Sequence, residues 1–228
     1  MSVISTIEDY DPAIKHLQEF DTLVVDVETN GLDAFGWNQL CGVGVATSPD
    51  DSYYFPFRHQ EGDNLPFSYA SDLLRLLSKC PTLIGYNLKF DLHFLAKDGL
   101  EIADQKLVDV IVMVRMTEHS DTKDLGLTDT LVRSYGAEYG QYDIDTKKLL
   151  RKNKWNKDFS LAPPDILGPY CEKDVLMTYK LYEDRLKQIV QSKQLDLFDM
   201  QCELTRVLYK MENRGIRVDG TYAANTHH

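Results

Sequence analysis

The chain has 228 residues, of which 43% are hydrophobic, 27% charged and 11% aromatic. This balance describes a folded chain with one sizeable core and excludes a disordered or low-complexity one. The net charge of -11 argues against a general nucleic-acid coat protein, whose affinity comes from neutralising phosphates, but leaves room for an enzyme that touches only a strand end.

In chain order the hydrophobic pattern alternates between helix and strand. An amphipathic segment at about 12–20 predicts a first helix, and the apolar run 22–28 predicts a strand ending in the turn Thr29-Asn30-Gly31-Leu32-Asp33. Two more strand-like runs, near 40–46 and 52–57, read as an antiparallel meander opening a mixed sheet. After the Gly- and Pro-bearing loop 59–66, Leu73, Leu74, Leu76 and Leu77 gather near one face of a helix. A short strand at 82–86 leads into a helix starting near Asn87. The run 107–116 reads as a strand passing into a helix, and 125–135 as a helix. Pro163 and Pro164 open a helix reaching about Gln188, and a last helix over 195–213 stops at Gly215. The expected fold class is α/β.

Spacing turns these elements into a candidate site. Alternation along a strand puts Asp26 and Glu28 on one face and Val25 and Val27 on the other. On a helix, residues four apart share a face, so Asn87 stands with Asp91 and Tyr170 with Asp174. An Asp-x-Glu pair alone is a weak signal. Here it closes an apolar strand before a glycine-containing turn, which places it at the C-terminal strand end where α/β sites lie. Two carboxylates about 4 Å apart repel by roughly 4 kcal/mol at an effective dielectric near 20. Raised pKa values or cations must relieve such a cluster, and an all-oxygen ligand set favours Mg²⁺ or Mn²⁺ over zinc. Two such ions can clamp the attacking and leaving oxygens at phosphorus, so phosphodiester hydrolysis is the natural reaction class.

Other residues carry less chemistry. Cys41, Cys80, Cys171 and Cys202 show no CxxC pair and no zinc spacing, and read as reduced, mostly buried thiols of a cytosol-like compartment. His16, His59, His93 and His119 show no metal spacing and read as surface or satisfied polar groups; His227 and His228 bear no mechanistic weight. The start lacks a basic n-region and an apolar h-region, and no stretch is long enough to span a bilayer, so neither export nor membrane insertion is expected. Lys147, Lys148, Arg151, Lys152, Lys154 and Lys157 fall in eleven residues without an acid, around Trp155; they form either a solvated helix face or a contact to a nucleic-acid backbone.

Three segments resemble the 3'-5' exonucleases of the four-acid, tyrosine-containing type. They are Val25-Asp26-Val27-Glu28-Thr29-Asn30-Gly31-Leu32, Gly85-Tyr86-Asn87-Leu88-Lys89-Phe90-Asp91-Leu92, and Tyr170-Cys171-Glu172-Lys173-Asp174. They occur in the family's order and with their flanks cover about 20–186. The family's other branch has a histidine five residues before the last aspartate; Pro169 stands there, which selects the tyrosine branch.

The resemblance implies a ribonuclease-H-like mixed sheet flanked by helices, with a C-terminal helical extension, and two divalent cations, Mg²⁺ or Mn²⁺. Asp26 would bridge both metals, Glu28 and Asp174 would complete the tighter site, and Asp91 would hold the second metal through water. Tyr170, with Glu28, would orient the attacking water. A phenol of ordinary pKa near 10 is a poor base at neutral pH, so its part is mainly aim. Thr29 and Asn87 would hydrogen-bond the terminal nucleotide or steady the acids, while Leu32 and Phe90 would pack against the last bases. Bland readings stand beside these: Asn87 as a helix cap, Leu32 and Phe90 as core, Tyr170 with its hydroxyl in water.

Residues 203–219, ending Met211-Glu212-Asn213-Arg214-Gly215-Ile216-Arg217-Val218-Asp219, resemble the opening of the polymerase region of family A DNA polymerases. The bland reading is an amphipathic helix with a glycine stop. The resemblance implies a proofreading exonuclease domain at 1–190 and the helical start of a polymerase region at 191–228. It further implies single-stranded DNA 3' ends as substrate, a polymerase region in cis, no polymerisation by this chain, and a cytoplasmic, nucleoid or viral replication setting. The alternatives are a ribonuclease D-like 3'-5' exoribonuclease and a catalytically idle scaffold domain.

Overall fold

The computed structural model describes residues 2–226, apart from the side chain of residue 223. His227 and His228 lie outside the described residues. The elements are β1 (Ser2–Val3), α1 (Ile7–Leu17), β2 (Thr22–Thr29), β3 (Leu40–Ser48), β4 (Asp51–Pro56), α2 (Ala70–Lys79), β5 (Thr82–Gly85), α3 (Leu88–Lys97), β6 (Lys106–Asp109), α4 (Val110–Thr117), α5 (Leu127–Tyr135), α6 (Gln141–Lys152), α7 (Pro164–Gln191), α8 (Leu195–Arg214) and α9 (Gly220–Thr226).

The strand carrying Asp26 and Glu28 lies inside a six-stranded mixed sheet of order β1-β4-β3-β2-β5-β6. β2 pairs antiparallel with β3 and parallel with β5, and β3 alone runs against the other five strands. Alternation sorts β2 between two apolar clusters. Leu23, Val25 and Val27 join α1, α2 and α3 on one side, and Val24 joins α4 and α7 on the other. This is the expected mixed sheet with helices on both faces.

α7, 28 residues long, crosses the sheet directly behind the acids. Glycines on β3 permit the approach. Gly44 pairs with Asp26, and a Cβ there would sit 2.7 Å from Cys171 Sγ on α7; Gly42 pairs with Glu28, and a Cβ there would sit 2.1 Å from the Tyr54 hydroxyl. α8 closes the far side, placing Tyr209 in one cluster and Phe198 and Cys202 in the other. Its end is set by Gly215, which takes φ +63 while its N–H donates to the Met211 carbonyl at 3.0 Å.

Two expectations shift. The first helix, expected at 12–20, forms at Ile7–Leu17, because Thr6 caps it: Thr6 Oγ1 accepts from the Asp9 N–H at 3.2 Å and donates to Asp9 Oδ2 at 2.6 Å, leaving Pro12 inside the helix. The basic stretch around residue 147 belongs to α6, which no apolar periodicity announces, since only Asp143 and Leu150 are buried along it. Lys147, Lys148, Arg151 and Lys152 lie exposed on it. No helix among the described residues is long and apolar enough to cross a membrane, and all four cysteines are free and buried.

Candidate active site

The four acids come from three elements and meet at the C-terminal end of β2. β5 pairs with β2 only from Thr22 to Val24 before turning away into α3. Beyond that point the Val27 N–H is directed at the Asp91 Oδ1 of α3, at 3.0 Å, and holds that buried carboxylate beside the strand. On the α7 side, Cys171 Sγ lies 3.4 Å from Asp26 Oδ2, donating to it from the floor of the site. Ligand atoms of Asp26, Glu28 and Cys171 all fall within 4.8 Å of one another. One turn further along α7, Asp174 Oδ1 accepts a 2.5 Å hydrogen bond from the Tyr142 hydroxyl of α6.

Electrostatics make the cluster unstable as four free charges. Burial first, with little to offset it, pushes the Asp26 carboxyl up to about 7. Burial and repulsion from Asp26, Asp174 and Asp91 push Glu28 well above the usual carboxylate range. Burial and then Asp26 do the same to Asp91 and to Asp174. The Cys171 thiol is likewise pushed far up, by burial and by the surrounding acids, so it is a protonated donor and not a ligand for a hard cation. The oxygen donors left suit a hard divalent cation. Asp26, Asp91 and Asp174 each have one oxygen fixed by Cys171, Val27 or Tyr142, so the protein orients them itself.

Tyr170 does not leave its hydroxyl in water. It donates to Asp143 Oδ1 of α6 at 3.0 Å, and its ring lies 6.0 Å from that of Tyr142. Burial, then Asp174, Glu28, Asp143 and Asp26, push the phenol far above its ordinary value. Tyr170 therefore favours its protonated form, gives its proton to Asp143, and keeps its oxygen lone pairs free to accept. Asp143 is itself buried and paired with Lys147 at 2.8 Å.

The remaining expected residues divide. Asn87 occupies the N-cap position of α3 in the left-handed region (φ 63) but caps nothing with its exposed side chain, so the cap reading falls; its N–H donates to Asp109 Oδ1 at 2.9 Å. Thr29 Oγ1 donates to the Gly31 carbonyl at 2.7 Å and closes the turn after β2. Leu32 is 84% exposed, which excludes it from the core. Phe90 is half-buried, packed on the core with its ring 5.1 Å from Phe94. His59 and His93 are buried and hydrogen-bonded away from the acids, and His16 faces Asp51.

Sequence reasoning missed Tyr142, Asp143 and Asp109. Asp109 caps α4, accepting from Ile111 N–H at 3.1 Å, and burial pushes it up to about 6. Its signal was an Asp at a strand-to-helix junction within an apolar run. No local pattern marks Tyr142 or Asp143, because α6 meets α7 only in three dimensions.

A family model described as 3'-5' exonuclease matches residues 1–191. DNA polymerase I of a Synechocystis strain is 30% identical over 96% of this chain, which spans 22% of that polymerase; the chain spans no more than 33% of the first curated relatives it matches. Among solved structures, Brucella melitensis NrnC with bound Mg²⁺ shares 16% identity at a TM-score of 0.61, with 87% of this chain and 88% of that one covered. Escherichia coli RNase D, an exoribonuclease, shares 14% identity at a TM-score of 0.60, with 92% and 50% covered. Both likenesses show the ribonuclease-H-like fold. The match over most of the chain, on a site of four converging carboxylates and a partly buried tyrosine, makes this chain a member of the 3'-5' exonuclease family associated with family A DNA polymerases, and a nuclease.

Proposed function

We propose that the chain removes nucleotides from the 3' end of single-stranded or frayed DNA, as the proofreading part of a family A DNA polymerase. In this reading two divalent cations, Mg²⁺ or Mn²⁺, are held by Asp26, Glu28, Asp91 and Asp174. The observation that carries it is the convergence of four carboxylates, all raised by burial and three of them, Glu28, Asp91 and Asp174, also by neighbouring acids. Among the described residues no lysine or arginine pairs with any of the four, which supports a bound cation as their partner. Exonucleases of this family depend on divalent metal, and when bound such ions supply the positive charge that activates water and takes up charge on the leaving oxygen.

The chain's own residues do the rest. In this reading Tyr170, its proton held by Asp143, orients the attacking water by accepting from it, together with Glu28. Tyr142 fixes the carboxylate plane of Asp174, and Asp143 holds the Tyr170 hydroxyl in the site. In this reading Leu32, exposed beside the turn that follows Glu28, wedges the terminal base, and Thr29, Asn87 and Phe90 contact the last nucleotides. That the curated relatives are DNA polymerases supports DNA over RNA, and supports residues 191–228 as the opening of a polymerase region continuing in cis.

The test is the double variant Asp26→Ala, Glu28→Ala with a 3'-labelled single-stranded oligonucleotide. Digestion is expected to vanish while circular dichroism stays that of the folded chain, and unchanged digestion rules the site out. The same oligonucleotide made as RNA, degraded faster than its DNA counterpart, would overturn the DNA assignment.

A further inference from the structure

Between β2 and β3, ten residues after the Glu28–Thr29 end of the site present three large apolar side chains to water. Leu32 is the proposed wedge for the terminal base. Phe35 is 65% exposed and Trp37 97% exposed, with no role in the reading above. An isolated exposed apolar residue needs no explanation, but three in six positions beside an active site do.

The loop holding them is pre-organised. Asp33 Oδ1 accepts from the N–H groups of Phe35 at 3.1 Å and Gly36 at 2.9 Å, and Asn38 Oδ1 accepts from Asp33 at 3.0 Å. Asn30 Oδ1 accepts from Gln39 N–H at 2.6 Å, closing the base. Lys97, at the end of α3, donates to the carbonyls of Gly36 at 2.6 Å and Asn38 at 2.7 Å. Gly31 fits against the Asn38 amide, where a Cβ would approach to 2.3 Å. The network fixes the backbone on both sides of Trp37 and leaves its indole bare. Phe35 leans on His93 with ring centroids 4.8 Å apart, which orients it without covering it.

The position selects the occupant. Lys97 is six residues beyond Asp91 on the same helix, or about 9 Å along the axis. The loop, whose Phe35 also touches His93 two residues from Asp91, therefore stands within a few nucleotides of the acids. Bases of a single strand expose π-faces regardless of sequence, and aromatic platforms read none of it.

We infer that Trp37, supported by Phe35, is a stacking platform for a base of single-stranded DNA a few nucleotides upstream of the 3' end being trimmed. The inference rests on the proposed exonuclease reading and adds a subsite that measures strand length. Because Trp37 makes almost no contact with the rest of the chain, Trp37→Ala leaves the fold intact.

The experiment compares wild type and Trp37→Ala on a deoxydinucleotide and a deoxyhexanucleotide, with tryptophan fluorescence followed on addition of the hexamer. The expected result is a KM for the hexamer raised about 5- to 150-fold, the range that one stacked base implies. The dinucleotide should be turned over as by wild type, and the fluorescence quench seen in wild type should disappear; Trp37→Phe should recover part of the affinity. Equal KM values for the hexamer, with wild type active, overturn the platform and leave the exonuclease reading standing. Equal losses on both substrates overturn it as well, as does Trp37-dependent dimerisation with unchanged KM. A wild type that degrades neither substrate overturns the exonuclease reading, and the platform with it.

Discussion

The two halves of the site are built differently. On β2 and α7 the functional side chains project from elements pinned in the core: Val24, Val25 and Val27 surround Asp26, and Cys171 and Val175 flank Asp174. α6, by contrast, is mostly exposed, yet it supplies the Tyr142 hydroxyl that holds Asp174 and the Asp143 carboxylate that holds Tyr170. The core half fixes where the acids are, and the α6 half fixes how Asp174 and Tyr170 are aimed. A fault in the first removes the site, whereas a fault in the second leaves it present but misdirected.

Two single-hydroxyl deletions separate these roles. Tyr170→Phe is expected to lower kcat by about 100-fold, the scale of losing one positioned hydrogen bond in an active site. Tyr142→Phe should lower it by about tenfold, in keeping with one hydrogen bond to a charged group. Steady-state kinetics on a 3'-labelled oligonucleotide check both, and a Tyr142→Phe enzyme indistinguishable from wild type would detach α6 from catalysis. On the core half, Gly44→Ala forces a methyl against Cys171 and should destabilise the protein by about 1–3 kcal/mol. Chemical denaturation reads this; no change in midpoint would mean that α7 has room to retreat from β3.

The smallest effect tests the charge state of the cluster. Asp26 has its folded pKa raised to about 7 from an unfolded value near 3.9. Its protonation therefore favours the folded state fully below about pH 4, and that contribution is lost as pH rises through 7. With chelator present, Tm should fall by a few degrees over this window, and added Mg²⁺ or Mn²⁺ should restore it most at the alkaline end. A Tm that rises with pH in chelator would contradict the repulsive cluster.

The sequence made legible whatever one element carries alone. Asp26 and Glu28 share a strand face, and Tyr170 and Asp174 a helix face, so period and motif were enough to pair them. Most strand positions were legible too, because β2 to β5 are apolar runs bounded by turn residues. What stayed hidden depends on two elements meeting. Asp143 reads as one more acid on a polar helix until α7 brings Tyr170 within 3.0 Å of it. Asn87 reads as a cap until Asp109, 22 residues later, takes its N–H and turns it left-handed. The start of α1 was misplaced for a local reason, since Pro12 drew the boundary away from the Thr6–Asp9 cap.

The contacts of α8 have a mechanical consequence. Near its Gly215 end, Tyr209 stacks on His93 at 5.2 Å, and Glu212 meets His93 at 2.8 Å and pairs with Lys89. Both partners flank Asp91 on α3. While these contacts hold, a pull on the chain after Gly215 is transmitted as torque to the helix bearing one of the four acids.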